Sequence, residues 1–305
     1  RRSYSICAAP HDNELKVAVK KVAGGIFSVF ANEQLKKGDV LDVLPPTGKF
    51  TARLTETQTG NYLAIASGSG ITPVISIIKH TLQTQDHSQF ILLYGNRSRS
   101  SIIFFEELEA LKNKYMQRFT LINVLSRERT DAEINFGRIN KEKLIALQHI
   151  VPYNTFDSIY ICGPEEMIFS AGDYFNSLRI DKHKIHFELF TTPGGPSSNK
   201  ALAVEASESL AGKAIVTVKL DGRSFNFPLA ENGLSVLDAA LQFGADLPYA
   251  CKGGVCASCR AKLVSGSVHM DVNYALEEEE VAAGFILTCQ SHPRSQAIEV
   301  DFDVK

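Results

Sequence analysis

Four cysteines near the C-terminus constrain this chain more than any other feature. They follow the spacing C-x4-C-x2-C with a fourth after a long gap, at Cys251, Cys256, Cys259 and Cys289. This spacing is typical of a plant-type 2Fe–2S cluster, for which one short loop presents three thiolates and a distant segment supplies the fourth. Gly253 and Gly254 lie inside the loop, where a Cβ would crowd the cluster and where backbone N–H groups can point at sulfur. The pattern predicts a protein that transfers electrons.

Zinc and disulfide bonds are the two alternative uses of these cysteines. A structural zinc site would also accept four thiolates, but it usually takes them from two paired short spacings. Disulfide frameworks belong to secreted proteins, and no secretory signal is visible near Arg1. Because four of the six cysteines are committed to one site, we expect Cys7 and Cys162 to be free thiols in a reducing compartment, the cytoplasm.

Length and charge point to a multidomain protein. At 305 residues the chain is long enough for two or three domains with separate cores. The formal net charge of −2 gives no whole-chain attraction to nucleic acid or to an anionic membrane, and no apolar run reaches the ~20 residues that a membrane span needs. The chain begins at Arg1 without a methionine, within a pattern typical of a strand. We therefore expect it to be an N-terminally truncated fragment.

The pattern of apolar residues and turn signals divides the chain into four stretches. Residues 1–57 alternate like strands, with one short helix after Gly24, which predicts part of an antiparallel barrel. Residues 58–190 alternate between apolar strands and helices, which predicts a parallel sheet with crossover connections. Residues 191–213 are rich in Pro, Gly and Ser near their start and are expected to be a linker. Residues 214–305 form a last domain around the cysteine loop.

Individual elements follow from apolar runs and turn signals. In the first stretch we expect strands around residues 4–6, 15–19 and 40–43. The parallel sheet should have strands at 62–66, 90–94, 119–125 and 158–162, and helices at 71–84, 102–114 and 141–148. In the last domain, strands at 215–218 and 225–227 should be joined by a turn at Asp221-Gly222 and followed by a helix from Ser235 to Phe243.

Two short motifs in the first stretch are suited to hold a flavin nucleotide. On a strand Arg2 and Tyr4 share a face, which offers a cation for a pyrophosphate and a ring to stack on an isoalloxazine. Ser5 would place a hydroxyl near a ring nitrogen. Gly25 and Ser28 lie at a predicted helix start, where free N–H groups and the helix dipole bind phosphate. A plain glycine turn with Ser28 as a helix cap is the alternative explanation of the second motif.

Two further motifs follow strands of the predicted parallel sheet. The first, Gly68-Ser69-Gly70-Ile71-Thr72-Pro73, lies between a strand and a helix, which is the context of a dinucleotide phosphate site. The second, Cys162-Gly163-Pro164-Glu165-Glu166-Met167, lies at the carboxyl edge, where open α/β sheets bind ligands. There the thiol could lie near a reacting nicotinamide carbon. A ligand-free glycine turn and a buried structural cysteine are the alternatives.

Basic residues after the second predicted strand bear on the choice of coenzyme. Arg97 and Ser98 fall where a ribose or its 2′-phosphate would sit. The acidic residue that usually reads an unphosphorylated ribose is absent from Tyr94-Gly95-Asn96-Arg97-Ser98-Arg99. The pattern favours NADPH, with NADH as the alternative.

Taken together, these motifs resemble the ferredoxin–NADP reductase superfamily over essentially the whole chain. Their order is Arg2-x-Tyr4-Ser5, Gly25-x-x-Ser28, Pro46-x-Gly48-x-Phe50, Gly68-x-Gly70-x-Thr72-Pro73, Cys162-Gly163-Pro164-x-x-Met167 and then a C-terminal ferredoxin with the four cysteines. Residues 63–73, 94–97 and 246–259 look most like the reductase components of bacterial phenylacetyl-CoA epoxidases. The reductases of ketosteroid hydroxylases are similar in layout.

The resemblance implies a fold and a set of ligands. It implies a flavin-binding β-barrel, an NAD(P)-binding α/β domain and a β-grasp ferredoxin domain. FAD would be held by Arg2, Tyr4, Ser5, Ala18, Val19, Lys20, Gly25 and Ser28. The nicotinamide nucleotide would be held by Gly68, Ser69, Gly70, Thr72, Pro73, Arg97, Ser98, Cys162, Gly163, Pro164 and Met167, with the four cysteines on the irons. Ser5 and Cys162 would be the catalytic residues.

The expected function is that of an NAD(P)H-dependent reductase. A hydride brings two electrons and a 2Fe–2S cluster accepts one, so FAD is the necessary converter. The expected partner is an oxygenase, namely the di-iron component of a phenylacetyl-CoA epoxidase in phenylacetate degradation, with a ketosteroid or ring hydroxylase as the alternative. A non-enzymatic iron–sulfur redox sensor is the rival from another class, and the nucleotide motifs upstream of the cysteines argue against it.

Overall fold

A computed structural model of the chain describes residues 2–46, 48, 50–51, 59–190 and 213–304. These residues form two compact units. One unit holds the described residues of 4–44 and 49–191, and the other holds those of 1–3, 45–48 and 192–305. The predicted linker lies outside the described residues, apart from Lys213, which begins a strand.

The N-terminal segment contains one helix, α1 (Ile26–Glu33), and little regular strand. In its described part an isolated antiparallel bridge joins Ile6 to Val17. The strands expected at 4–6, 15–19 and 40–43 are therefore not found there, and Val40 is 90% exposed. The physical reason is that an extended segment becomes a strand only when a neighbour takes up its backbone hydrogen bonds. The apolar residues do alternate, but among the described residues these segments have almost no neighbouring strand to pair with.

A five-stranded parallel sheet forms the centre of the first unit. Its strands are β1 (Asn61–Ser67), β2 (Gln89–Asn96), β3 (Phe119–Leu125), β4 (Ser158–Gly163) and β5 (Ile185–Leu189). They lie in the order β3-β2-β1-β4-β5, and all four neighbouring pairs are parallel. The four predicted strands are confirmed within two residues at their ends. The fifth strand was not predicted.

Helices cover this sheet and complete its core. They are α2 (Ile71–Thr84), α3 (Phe105–Lys114), α4 (Lys141–Leu147) and α5 (Glu165–Ser177). Strand β1 is buried at five consecutive positions, as expected of a central parallel strand covered on both faces. The carboxyl ends of β1 and β4 are neighbours, with Ala66 opposite Cys162. This arrangement places the two nucleotide motifs side by side.

The second unit is a mixed sheet with short helices. Strands β6 (Lys213–Leu220) and β7 (Arg223–Ala230) form the predicted hairpin, and Asp221 and Gly222 both have positive φ. Helix α6 (Val236–Gln242) is capped by the Ser235 hydroxyl, which accepts the Asp238 N–H at 3.2 Å. The remaining elements are β8 (Arg260–Ser265), β9 (Val268–Met270), α7 (Glu278–Ala282), β10 (Phe285–Leu287), β11 (Ser291–Pro293) and β12 (Ala297–Asp301).

Strand order in this unit places the cysteine loop next to the sheet. The larger sheet runs β10-β8-β12-β6-β7, and β9 pairs with β11. Because β8 starts directly after Cys259 and β10 ends two residues before Cys289, these neighbouring strands bring the last two cysteines together. Taken over the described residues, neither unit contains a helix with the length and apolar character of a membrane span.

Candidate functional site

The glycine-rich turn after β1 is held from two sides. Gly68, at a φ of +53°, begins a short 3-10 turn that runs directly into α2. The Tyr94 hydroxyl, on the neighbouring strand, donates to the Gly68 carbonyl at 2.8 Å. The Thr72 hydroxyl donates to the Ser69 carbonyl at 3.1 Å. Pro73 lies in the first turn of α2, where its missing N–H costs nothing. The turn is thereby preformed at the start of a helix.

Gly70 packs directly against the backbone of β4. A Cβ built on Gly70 would lie 2.0 Å from the Cys162 carbonyl oxygen and 3.0 Å from the Gly163 nitrogen. The two nucleotide motifs, almost a hundred residues apart in sequence, are therefore in backbone contact. Glycine is needed here because of this close approach. This contact fixes the two motifs of the predicted nucleotide site against each other at the carboxyl ends of β1 and β4.

The second motif turns tightly from β4 into α5. Pro164 caps α5, and the Met167 N–H donates to the Pro164 carbonyl at 3.0 Å. Met167 is buried, and its Cε lies 2.7 Å from where a Cβ on Gly163 would be. The residues predicted from the Cys162–Met167 motif thus form one packed turn facing the same edge as Gly68 and Gly70. A helix of 13 residues begins there, so its first N–H groups point toward that edge.

A hydrogen bond joins the predicted flavin segment to the nucleotide sheet. The Ser5 hydroxyl donates to Glu188 Oε1 at 3.4 Å. Glu188 lies on β5 directly opposite Cys162 on β4. The pKa of the Cys162 thiol is raised well above its ordinary value, first because the thiol is buried and then because of the Glu188 charge. The two predicted catalytic residues, Ser5 and Cys162, therefore approach the same carboxylate.

Glu188 is a functional candidate that sequence reasoning missed. No motif surrounds it, and its strand Ile185–Leu189 was not predicted, because the run Ile-His-Phe-Glu-Leu mixes polar and apolar residues. The signal that could have found this strand is the strict alternation of apolar and polar residues over its five positions. Its proximity to Ser5, 183 residues away in sequence, follows only from the folded sheet.

Basic residues gather at the carboxyl ends of β2 and β3. The Arg127 N–H donates to the Arg97 carbonyl at 2.8 Å, so the two arginines lie on the adjacent segments that follow β2 and β3. The Arg99 N–H is bonded to Glu128 Oε2 at 2.8 Å, and its guanidinium stacks on Phe105. Ser98 is partly buried, and its hydroxyl lies 3.0 Å from that of Ser100. Arg127 was not singled out from the sequence, although it follows a correctly predicted strand.

A cavity of about 570 Å³ lies alongside this basic edge. It is bordered by Arg99, Phe105 and Glu128 and extends along β3 to Asn123. The side-chain Oδ1 of Asn123 is buried and has no hydrogen-bond partner among the described residues. A buried acceptor without a partner is costly. The cavity is large enough for one half of a dinucleotide.

Most of the predicted flavin residues lie around α1 in the first unit. The Tyr4 ring packs against Phe27 of α1, with centroids 5.5 Å apart. The Ser28 hydroxyl accepts the Val22 N–H at 3.2 Å, and Gly25 caps α1. Ser28 therefore stabilises the turn, while the first N–H groups of α1 have no partner within the helix. Ala18 and Val19 are half-buried, and Arg2 and Lys20 are exposed.

The four cysteines come together as two pairs. Hydrogen bonds link Cys251 with Cys256 and Cys259 with Cys289. The hydrogen bond from Cys251 lowers the pKa of Cys256 to about 5, and that from Cys259 lowers the pKa of Cys289. In each pair the donating thiol has a raised pKa, because it holds the shared proton and is buried.

This pairing fits a two-iron cluster. Each iron of a 2Fe–2S cluster takes two protein ligands. The Cys251–Cys256 and Cys259–Cys289 pairs therefore suit two irons, one for each pair.

Backbone donors and one glycine complete the cysteine loop. The Gly253 N–H donates to the Cys251 sulfur at 3.3 Å, and the Gly254 N–H bonds the Cys289 sulfur. The Gln290 amide also lies 3.7 Å from that sulfur. Gly254 has a φ of +74°, and a Cβ there would lie 3.0 Å from the Val272 carbonyl oxygen. The loop thus offers the N–H groups that a negatively charged cluster requires.

Known protein families match two parts of the chain. The model of the "Oxidoreductase NAD-binding domain" family matches residues 64–172, and that of the "2Fe-2S iron-sulfur cluster binding domain" family matches residues 218–294. The chain is 44% identical to a subunit of the 1,2-phenylacetyl-CoA epoxidase of Escherichia coli (strain K12), covering 100% of this chain and 84% of that protein. It is 33% identical to the ferredoxin reductase component of the 3-ketosteroid-9-alpha-monooxygenase of Rhodococcus rhodochrous, covering 99% and 82%.

A solved structure supports the fold. The structure of phthalate dioxygenase reductase matches with a TM-score of 0.54 at 22% identity, over 99% of this chain and 83% of that chain. The multidomain fold expected from the sequence is therefore confirmed.

Proposed function

From the premise that this chain belongs to the ferredoxin–NADP reductase superfamily and carries a C-terminal 2Fe–2S domain, we infer that it is the reductase of an oxygenase system. It takes electrons from NAD(P)H through FAD to the cluster and passes them to an oxygenase. One observation carries this conclusion. Ser5 of the flavin motif bonds Glu188 opposite Cys162 of the nucleotide motif, so both motifs meet at one edge of one sheet. The reducing cytoplasm is its proposed location.

The chain's own residues prepare the site for hydride transfer. FAD, when bound, would supply the conversion from the two electrons of a hydride to the single electrons that the cluster accepts. The preformed turn at Gly68–Gly70 and the start of α2 offer N–H groups to a pyrophosphate. Burial keeps the Cys162 thiol neutral at physiological pH, so no thiolate opposes the approach of a hydride. Glu188 accepts the Ser5 hydroxyl and fixes its direction.

The basic edge supports NADPH as the coenzyme. Arg97, Ser98 and Arg127 lie together at the ends of β2 and β3, where a 2′-phosphate would form charge-assisted hydrogen bonds. Arg97→Ala should therefore raise the KM for NADPH about ten- to a hundredfold, since such a bond contributes roughly 1.5–3 kcal/mol, and leave that for NADH nearly unchanged. Lys182→Ala, an exposed charge preceding β5 at the opposite edge, is the matched control. An equal effect of Arg97→Ala on both coenzymes would remove the argument for a 2′-phosphate.

The proposed partner is the di-iron component of a phenylacetyl-CoA epoxidase. The support is the 44% identity to a relative with that name, against 33% to a ketosteroid monooxygenase reductase. The test mixes the full-length reductase and NADPH with purified oxygenase components of each kind. Coupled product formation with the epoxidase, and not with the ketosteroid oxygenase, is expected. The reverse preference would reassign the partner.

Dye reduction separates the reductase from a redox sensor. The full-length protein should reduce a two-electron dye with NADPH at rates of enzyme turnover. A sensor protein should show no such turnover, and that result would refute the reductase assignment.

A further inference from the structure

The residue that follows Cys259 in the sequence, Arg260, forms an ion pair with Glu280. Arg260 follows Cys259, so their Cα atoms are about 3.8 Å apart. Its guanidinium donates to Glu280 Oε1 at 3.0 Å and stacks on the Phe285 ring, with Cζ 4.1 Å from the centroid. The side chains of Arg260 and Glu280 are only 26% and 14% exposed. The pair is therefore poorly screened by solvent.

The strand register connects Arg260 with the segments that carry Cys259 and Cys289. Arg260 on β8 lies opposite Leu287 on β10, two residues before Cys289. The Thr288 hydroxyl and N–H both bond the Cys259 carbonyl, at 2.9 and 3.2 Å, which fixes the two strands together next to the thiols. Arg260 is thus the first residue of β8, which follows the ligand Cys259, and it lies opposite β10, which precedes the ligand Cys289.

Glu280 is held as firmly as its partner. Its Oε2 accepts the Glu277 N–H at 3.0 Å at the start of α7, while Oε1 accepts from Arg260. Both carboxylate oxygens are therefore used, and neither charged side chain is free to swing away. Two opposite unit charges therefore stand at fixed positions on β8 and α7, the elements that follow Cys259 and precede β10.

We propose that Arg260 and Glu280 set the reduction potential of the 2Fe–2S cluster by opposing one another. Reduction adds one electron, supplied by NAD(P)H through the reductase, and makes the cluster more negative by one charge. A nearby cation stabilises the reduced form and a nearby anion destabilises it. Arg260 therefore raises the potential and Glu280 lowers it. Together they hold it at an intermediate value, from which the cluster can both accept an electron and pass it on.

The test measures the midpoint potential of the cluster in the full-length holoprotein, by redox titration followed by visible absorption and electron paramagnetic resonance. Arg260→Gln should lower the potential, and Glu280→Gln should raise it. The double variant should return close to the wild type, because both charges are gone and the two amides keep similar shapes. Arg260→Lys keeps the charge and should stay close to the wild type. Arg294→Gln, which breaks a more exposed pair with Glu231, should shift the potential less than Arg260→Gln.

The outcomes separate this inference from the proposed function on which it rests. Wild-type protein without a 2Fe–2S signal would contradict the proposed cluster itself. With the signal present, unchanged potentials, or shifts of the same sign in both single variants, would overturn the role of the ion pair. If Arg260→Gln does not retain its cluster, the other two single variants test the proposal. A raised potential in Glu280→Gln together with an unchanged potential in Arg260→Lys would support it, and any other combination would refute it.

Discussion

Replacing Gly70 by alanine should disrupt the nucleotide site through the backbone. The added Cβ would lie 2.0 Å from the Cys162 carbonyl oxygen, while real Cβ contacts essentially never fall below 3.0 Å. The turn or β4 must therefore move by at least 1.0 Å, the difference between these two distances. The obstructing atom is a backbone oxygen of β4, which lies in the central parallel ladder, so a side-chain rotation cannot relieve the clash. Overpacking of this kind costs about 1–3 kcal/mol and occasionally more, and we expect the upper end, about 3 kcal/mol.

Two measurements check this expectation. Denaturant unfolding should show a free energy of unfolding lowered by about 3 kcal/mol. Titration with NADPH should show binding weakened by at least about tenfold, which corresponds to a loss of about 1.4 kcal/mol in the free energy of binding. Gly172→Ala is the matched control, because it lies inside α5 with no atom within 4 Å of its added Cβ. It should gain about 0.5–1 kcal/mol and bind NADPH normally. A Gly70→Ala protein with unchanged stability and affinity would show that the two motifs are not in contact.

Two further predictions concern the cluster and the N-terminal segment. Cys256→Ser, or Cys289→Ala, should abolish the visible absorption of the cluster and leave NADPH-to-FAD reduction largely intact, as anaerobic spectra would show; loss of flavin reduction in a folded variant would contradict this. Lys79→Met should cost about 1.5–3 kcal/mol in denaturant unfolding, because this largely buried amine bonds both Asp12 and Glu107. Burial by itself would raise the pKa of Asp12, but the hydrogen bonds from Lys79 and the Ala9 N–H lower it overall. Asp12 therefore stabilises the fold above its unfolded pKa of about 3.9 and loses this contribution as the pH falls through the lowered folded value. The variant should show a flatter loss of stability in acid, and an unaltered acid profile would rule out this pair as its cause.

The sequence predicted those parts of the fold that depend on local pattern. Buried parallel strands are continuous apolar runs, so β1 to β4 could be located from Tyr62–Ala66 and its counterparts. The Asp221-Gly222 turn was predictable because both positions need positive φ, which these residues tolerate. The spacing of the cysteines predicted a cluster for a chemical reason, since three thiolates on one loop need that separation.

Features that depend on long-range contacts could not be predicted. Glu188 becomes a candidate only because β5 pairs with β4 and brings it opposite Cys162. Arg127 meets Arg97 only through the pairing of β2 with β3. The N-terminal apolar residues show the converse: Val40 and Val43 alternate as a strand would, yet they are 90% and 77% exposed, because alternation alone does not supply a hydrogen-bonding neighbour.

In the proposed site, the residues assigned to hydride transfer and those assigned to the choice of coenzyme lie at the ends of different strands of the parallel sheet. Gly70 follows the central strand β1 and Cys162 lies near the end of the central strand β4. Both strands have neighbours on both sides and cannot shift without breaking ladders in both directions. Arg97 and Arg127 end β2 and the edge strand β3, where side chains can change without disturbing that centre. Substitutions at the central ends should therefore impair hydride transfer from either coenzyme, whereas substitutions at the β2–β3 ends should alter only the preference between them. A site divided in this way allows coenzyme specificity to vary while the geometry around Ser5 and Glu188 is retained.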